Sequence, residues 1–195
     1  DGSLWGRPFY ILREAWNILN AIAEGKIESG DEKKLNALKG ETMAVIALCQ
    51  FDLTRCFGYP YTKDNGASLG APLIDHLVGT YENPSRSTVA QAYDFIIETL
   101  EEAVTLMSEE KNNGRMNKYA ARALLARVYL YHNDNRKAFD MADQLIKDVD
   151  ASGSYALYPH EKYVAAWSVE TKFGSESFFE IANSVDDTPG RDSWG

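Results

Sequence analysis

Apolar side chains recur along this chain at the spacing of helices in five stretches. In the first, over about 8–25, Leu12, Ala15, Trp16, Leu19, Ile22 and Ala23 make one stripe, opposite Arg13, Asn17, Asn20 and Glu24. Pro8 suits its first turn and Gly25 its end. A polar loop around Glu28 to Asp31 leads into a second helix over about 31–57. Here Met43 to Cys49 are unbroken apolar and Gly58-Tyr-Pro60 marks the stop. Gly40 inside it costs about 1 kcal/mol relative to alanine, which implies close approach of a neighbouring backbone. The third helix, over about 88–107, opens with a capping box from Thr88 and Gln91. Its core-facing set is Val89, Ala92, Tyr93, Ile96, Leu100, Ala103, Val104 and Met107. Two more follow over about 117–132 and 135–149. Ser177 to Ala182, mixing aromatic and β-branched residues, predicts a short strand over about 177–182.

The second and fourth helices are apolar around most of their circumference, so they must be packed from several directions. Each has an amphipathic neighbour, and the two pairs recur roughly eighty residues apart. Ala47 before Phe51 and Ala126 before Tyr129 set a small residue about one turn from an aromatic ring, which lets a partner helix approach. Leu125, Ala126 and Tyr129, followed across a short turn by Ala138 and Ala142, resemble a degenerate tetratricopeptide hairpin. The fold class expected is mainly α: irregular tetratricopeptide-like pairs with long loops and a short β element near the C-terminus. Residues 58–87 form a connection far beyond the usual length of about 4–6 residues. A connection that long usually has a job or is mobile.

Length and charge narrow the function. The 195 residues are 45% hydrophobic and 25% charged, enough for one sizeable core in a single domain over 1–195. No run of about 18 apolar residues is present to span a bilayer as a helix. The first residues lack the basic start and apolar middle of an export signal, so any such signal lies outside this chain. A formal charge of -9 repels phosphate backbones and speaks against nucleic acid as a partner. Cys49 and Cys56 are two helical turns apart, roughly 10 Å, too far for a disulfide, and read as small buried apolar residues.

Reactive chemistry is weakly indicated. The adjacent pairs Glu101-Glu102 and Asp186-Asp187 read as solvated surface, whereas glycoside hydrolysis needs two carboxylates converging across a cleft. His76, His132 and His160 have no metal-ligand spacing, so neither a metal nor a cofactor is expected. Both cysteines fall on a core helix with no histidine nearby in sequence. Gly66 to Gly70 lacks the lysine and preceding strand of a phosphate cradle. Aromatics are the more informative set, because sugar rings present apolar C–H faces that stack on Trp and Tyr. Trp5, Tyr59, Tyr61, Trp167 and Trp194 fall in expected loops and are the candidate ligand-binding residues. Trp16, Tyr93 and Tyr129 lie on apolar stripes and are assigned to the core, and Asn17 to interhelix hydrogen bonding.

An ordered series of blocks resembles the SusD/RagB family of outer-membrane nutrient-binding lipoproteins. They are Ala15-Trp-Asn17, Leu38-Lys-Gly-Glu41, Phe51 to Gly58, Gly70-Ala-Pro-Leu73, Pro84 to Val89, Tyr93 to Ile96 with Leu100 to Ala103, Gly114-Arg115, Ala123 to Leu130 and Glu176 to Ile181. Members are generally more than twice this long, so the resemblance is to the N-terminal, helix-repeat part, without the lipid-bearing N-terminus and the C-terminal part that helps build the ligand face. It implies a surface-exposed outer-membrane lipoprotein that captures a glycan or other nutrient oligomer, without catalysis, for a SusC-like TonB-dependent transporter. Two rival readings are a tetratricopeptide adaptor for protein tails and a glycan-cleaving enzyme. The acidic outer faces disfavour the first, since such grooves commonly carry basic residues for acidic peptides.

Overall fold

The computed structural model describes residues 2–27, 29–111, 114–166 and 173–181. Its elements in order are α1 (Gly2–Ala23), α2 (Glu32–Phe57), β1 (Leu69–Pro72), β2 (Arg86–Thr88), α3 (Val89–Leu106), α4 (Lys118–Tyr131), α5 (Asn135–Ser152) and α6 (Tyr163–Ala166). Short 3-10 turns cover Tyr61–Lys63 and His160–Lys162.

Each of the first five helices packs against its neighbour in sequence. Contacts between opposite ends fix the antiparallel sense: Trp5 meets Phe57, Gly40 meets Ala103, Tyr93 meets His132, and Arg122 pairs with Asp148 at 2.7 Å. The main core lies between α2, α3 and α4, around Ala44, Ala47, Phe51, Tyr93, Ile96, Leu100, Leu125 and Val128. A second core joins Leu12 and Ala15 of α1 to Ile46 and Leu53 of α2, Ala71 of β1 and Ile74 of the connection. Because α2 contributes to both, its apolar run reaches around the helix.

The helix ends follow from local chemistry. Asp31 accepts from the amides of Lys33 and Lys34. The Thr88/Gln91 capping box is formed, with Gln91 N donating to Thr88 Oγ1 at 3.1 Å and Thr88 N to Gln91 Oε1 at 2.9 Å. Asn117 and Asp134 cap α4 and α5. Gly25, at φ +67°, closes α1: its amide donates to the carbonyl of Ile22 and that of Lys26 to Ala21, the paired bonds of a Schellman end. The close approach expected at Gly40 is to α3, since a Cβ there would lie 2.9 Å from the Ala103 carbonyl and 2.7 Å from Met107 Cγ.

Three expectations need correction. First, α1 begins at Gly2, so Pro8 sits inside the helix. A proline there forgoes one backbone hydrogen bond, and the packing of Trp5 on Phe57 holds the additional turns in place. Second, the β element lies within 69–88, where β1 and β2 pair antiparallel with an irregular register between Leu69 and Pro72. The strand expected over about 177–182 does not form over 177–181, the part of it described. Phe178 and Phe179, adjacent in sequence, both pack against the main core. The Glu180 carboxylate folds back onto the amides of Phe173 and Gly174. Third, Cys49 is buried but Cys56 is exposed on the last turn of α2.

The long connection is tied down at several points. Gln50, fully buried on α2, donates through Nε2 to the Pro72 carbonyl at 3.1 Å and accepts from the Ile74 amide at 3.3 Å. Trp16 Nε1 donates to the Ile74 carbonyl at 3.1 Å. Arg86 donates to the carbonyls of Gly70 and Leu69, and Ser87 to that of Ala71. The segment is thus a structured edge to the α1/α2 pair.

Candidate functional site

The antiparallel course of α1 and α2 brings the start of one helix beside the end of the other, and aromatic rings collect there. Trp5 stands edge-on to Phe9 at 5.0 Å and to Phe57 at 4.6 Å between ring centroids. It is 40% exposed, so part of the indole still faces solvent. Two residues beyond Phe57, after the helix closes through the Gly58 amide on Thr54 O, Tyr59 is 56% exposed. The Lys63 ammonium lies 3.0 Å from the Tyr59 ring centroid, a cation–π contact that covers one face of the ring. Tyr10, also exposed, has the Arg13 guanidinium 4.9 Å from its ring centroid.

The candidates therefore divide. Trp5 lies in α1 and not in a loop, and shares this end of the helix pair with Tyr59. Tyr61 turns the other way: its ring packs 5.7 Å from Tyr93 and 4.2 Å from His132, against the main core. Trp167 and Trp194 lie outside the described residues. Phe9 and Phe57 join the patch unforeseen. The four-residue step from Tyr59 to Lys63 was the available signal for the cation. Asn17 is exposed on α1.

Polar groups elsewhere serve packing. Glu41 of α2 reaches across to the approach to α4, where Arg115 donates to Glu41 Oε2 from both Nε, at 2.8 Å, and Nη2, and the Met116 amide donates to Oε1 at 3.1 Å. The Glu41 carboxylate raises the Arg115 pKa above its ordinary value. This pair walls a groove of about 710 Å³ whose other sides include Lys34, Leu38, Met107, Glu110 and Asn117. Glu101 accepts from the Tyr129 hydroxyl at 2.5 Å and Glu102 from Lys39 at 2.9 Å, so the adjacent acids are committed to separate partners. Burial pushes the Cys49 thiol up to about 11, leaving it protonated at neutral pH. Among the described residues, no group of three or more His, Cys, Asp or Glu is placed to hold a metal ion. What the surface offers is partly exposed aromatic faces at an open edge, with cations beside them.

Fold and surface together define a mainly α scaffold of antiparallel helix pairs with an exposed aromatic edge. The chain belongs to the SusD-like family: the family described as starch-binding associating with outer membrane matches residues 2–130. It is similar to the crystal structure of a SusD superfamily protein from Bacteroides vulgatus, at 96% identity over 100% of this chain and 44% of that one, with a TM-score of 0.96. A SusD superfamily protein from Bacteroides thetaiotaomicron is 39% identical over 94% of this chain and 39% of its own length, with a TM-score of 0.88. A candidate sugar-binding protein from Bacteroides vulgatus is 38% identical over 97% and 43%, with a TM-score of 0.89. The chain thus spans less than half the length of these solved structures. No curated protein matches it. No helix among the described residues is long and apolar enough to cross a membrane.

Proposed function

We propose that this chain is the N-terminal helical part of a surface-exposed outer-membrane lipoprotein that binds a glycan and passes it to a SusC-like TonB-dependent transporter. The observation that carries the reading is the family match over 2–130, a family described by starch binding and outer-membrane association. The relative described as a candidate sugar-binding protein supports it. The aromatic end of α1 and α2 supplies chemistry of the right kind, since the free faces of Trp5 and Tyr59 suit the C–H faces of a pyranose. Binding proceeds without turnover: the acids at 101 and 102 are engaged by Tyr129 and Lys39, and the Cys49 thiol is buried. The net charge of -9 makes nucleic acid an unfavourable ligand.

Affinity electrophoresis of the longest native form of the protein through gels containing a panel of polysaccharides tests this. At least one glycan should retard migration, with no reducing ends released. Replacing Trp5 and Tyr59 together by alanine should weaken retention roughly thirtyfold, taking about 1 kcal/mol per stacked ring. Retardation by none of the glycans would refute the reading. Retardation unchanged in the double variant would refute only the assignment of these two rings.

A further inference from the structure

Within the long connection, residues 75–82 form a turn closed by one imidazole. His76 Nδ1 lies 2.6 Å from Asp75 Oδ1, and His76 Nε2 lies 2.7 Å from Glu82 Oε1. The second oxygen of Glu82 accepts from the Gly79 amide at 3.1 Å, and the Glu82 amide donates back to the Gly79 carbonyl at 3.0 Å. The turn is anchored at its base, where Ile74 is held by Gln50 and Trp16 and Val78 packs against the α1/α2 core. Its tip carries Tyr81, 96% exposed. On its other side Asp75 lines a groove of about 610 Å³ with Arg86, Gln91, Asp94, Phe95 and Glu98 of β2 and α3.

An ionised carboxylate has no proton to give, so each short contact requires a proton on the ring nitrogen. A neutral imidazole has one N–H, and its second nitrogen presents a lone pair. Both contacts can hold together only on the imidazolium. We propose that His76 is a proton-operated clasp, which fastens the 75–82 turn while charged, fixing Asp75 at the groove and Tyr81 at the tip, and releases the turn when the ring loses its proton. This inference is independent of the ligand assigned above.

The charged groups facing the ring are Asp75 and Glu82, and Arg86, Asp94 and Glu98 share the groove with Asp75. The hydrogen bonds to Asp75 and then Glu82 raise the folded-state pKa above the ordinary 6.5. Fastening is therefore complete below 6.5 and is lost as the pH rises through the raised value.

Two measurements on the native protein decide the matter. A titration of histidine Cε1–H resonances by NMR, with His76 assigned from the His76→Gln variant, should give a midpoint above 6.5. Exchange of the Gly79 and Glu82 amides, corrected for intrinsic pH dependence, should lose protection across that midpoint by about tenfold for each unit it exceeds 6.5. Glu82→Gln should lower the midpoint and shrink the step, and His76→Gln should abolish it. A native midpoint at or below 6.5, or a step that persists in His76→Gln, would overturn the clasp.

Discussion

Replacing Gln50 by leucine tests the claim that a single buried amide organises the long connection. Its side chain is fully buried and holds both the Pro72 carbonyl, at 3.1 Å, and the Ile74 amide, at 3.3 Å. Leucine is close in size and fills the space but satisfies neither group. Each buried peptide group left without a partner costs about 1–3 kcal/mol, and the longer bond belongs at the lower end of that range. Burying an apolar side chain in place of an amide returns about 1 kcal/mol. The net loss expected is about 1–3 kcal/mol, which for a chain of this size lowers Tm by roughly 2–12 °C. Denaturant unfolding followed by circular dichroism would read the stability, and hydrogen exchange the Ile74 amide. Protection at Ile74 should fall at least as much as global stability. A variant within about 0.5 kcal/mol of wild type, the scale of ordinary surface substitutions, with Ile74 still protected, would refute the reasoning.

Other consequences follow from individual contacts. Gly40→Ala gains about 1 kcal/mol of helix propensity but drives a methyl against the fixed Ala103 carbonyl at 2.9 Å, so urea unfolding should show a net loss of about 1–2 kcal/mol; a more stable variant would mean that the α2/α3 contact is looser than described. Thiol titration of the native protein should modify Cys56 rapidly and leave Cys49 unreacted until unfolding, because Cys49 is buried and its pKa is pushed up to about 11. Two equally fast thiols would contradict that. Asp148 is held below its ordinary 3.8, first by Gln144 and then by Arg122 of α4. Its contribution is therefore complete above 3.8 and disappears as the pH falls through the lowered value. Acid titration should show Asp148→Asn removing part of the stability gained on raising the pH from about 2 to 4. An unchanged acid profile would assign the α4/α5 pairing to packing alone.

Much of the helical frame was legible in the sequence because its signals are local. The Thr88 to Gln91 capping box, Asp31 before α2, Gly25 at the end of α1 and the spacing of Leu12, Ala15 and Leu19 each depend on residues within a turn or two. Where a local preference met a distant contact, it lost. Pro8 marks a helix start by itself, yet Trp5 on Phe57 carries α1 back to Gly2. The segment from Ser177 has strand composition, but Phe178 and Phe179 both turn to the core and Glu180 caps the chain behind them. The aromatic candidates separated for the same reason, since Tyr59 and Tyr61 have similar loop settings and only Tyr93 and His132 decide which ring turns inward.

Periodicity and caps, then, indicated the course of the five long helices apart from the start of α1, and most of the faces they bury, together with the resemblance to a nutrient-binding family. The tertiary structure alone decided the pairings that span long stretches of chain: Gln50 with Ile74, Glu41 with Arg115, and Trp5 with Phe57. Helical order is written in interactions a few residues apart, which any window of sequence contains. Contacts between distant residues depend on how whole helices pack, and no single window carries that information.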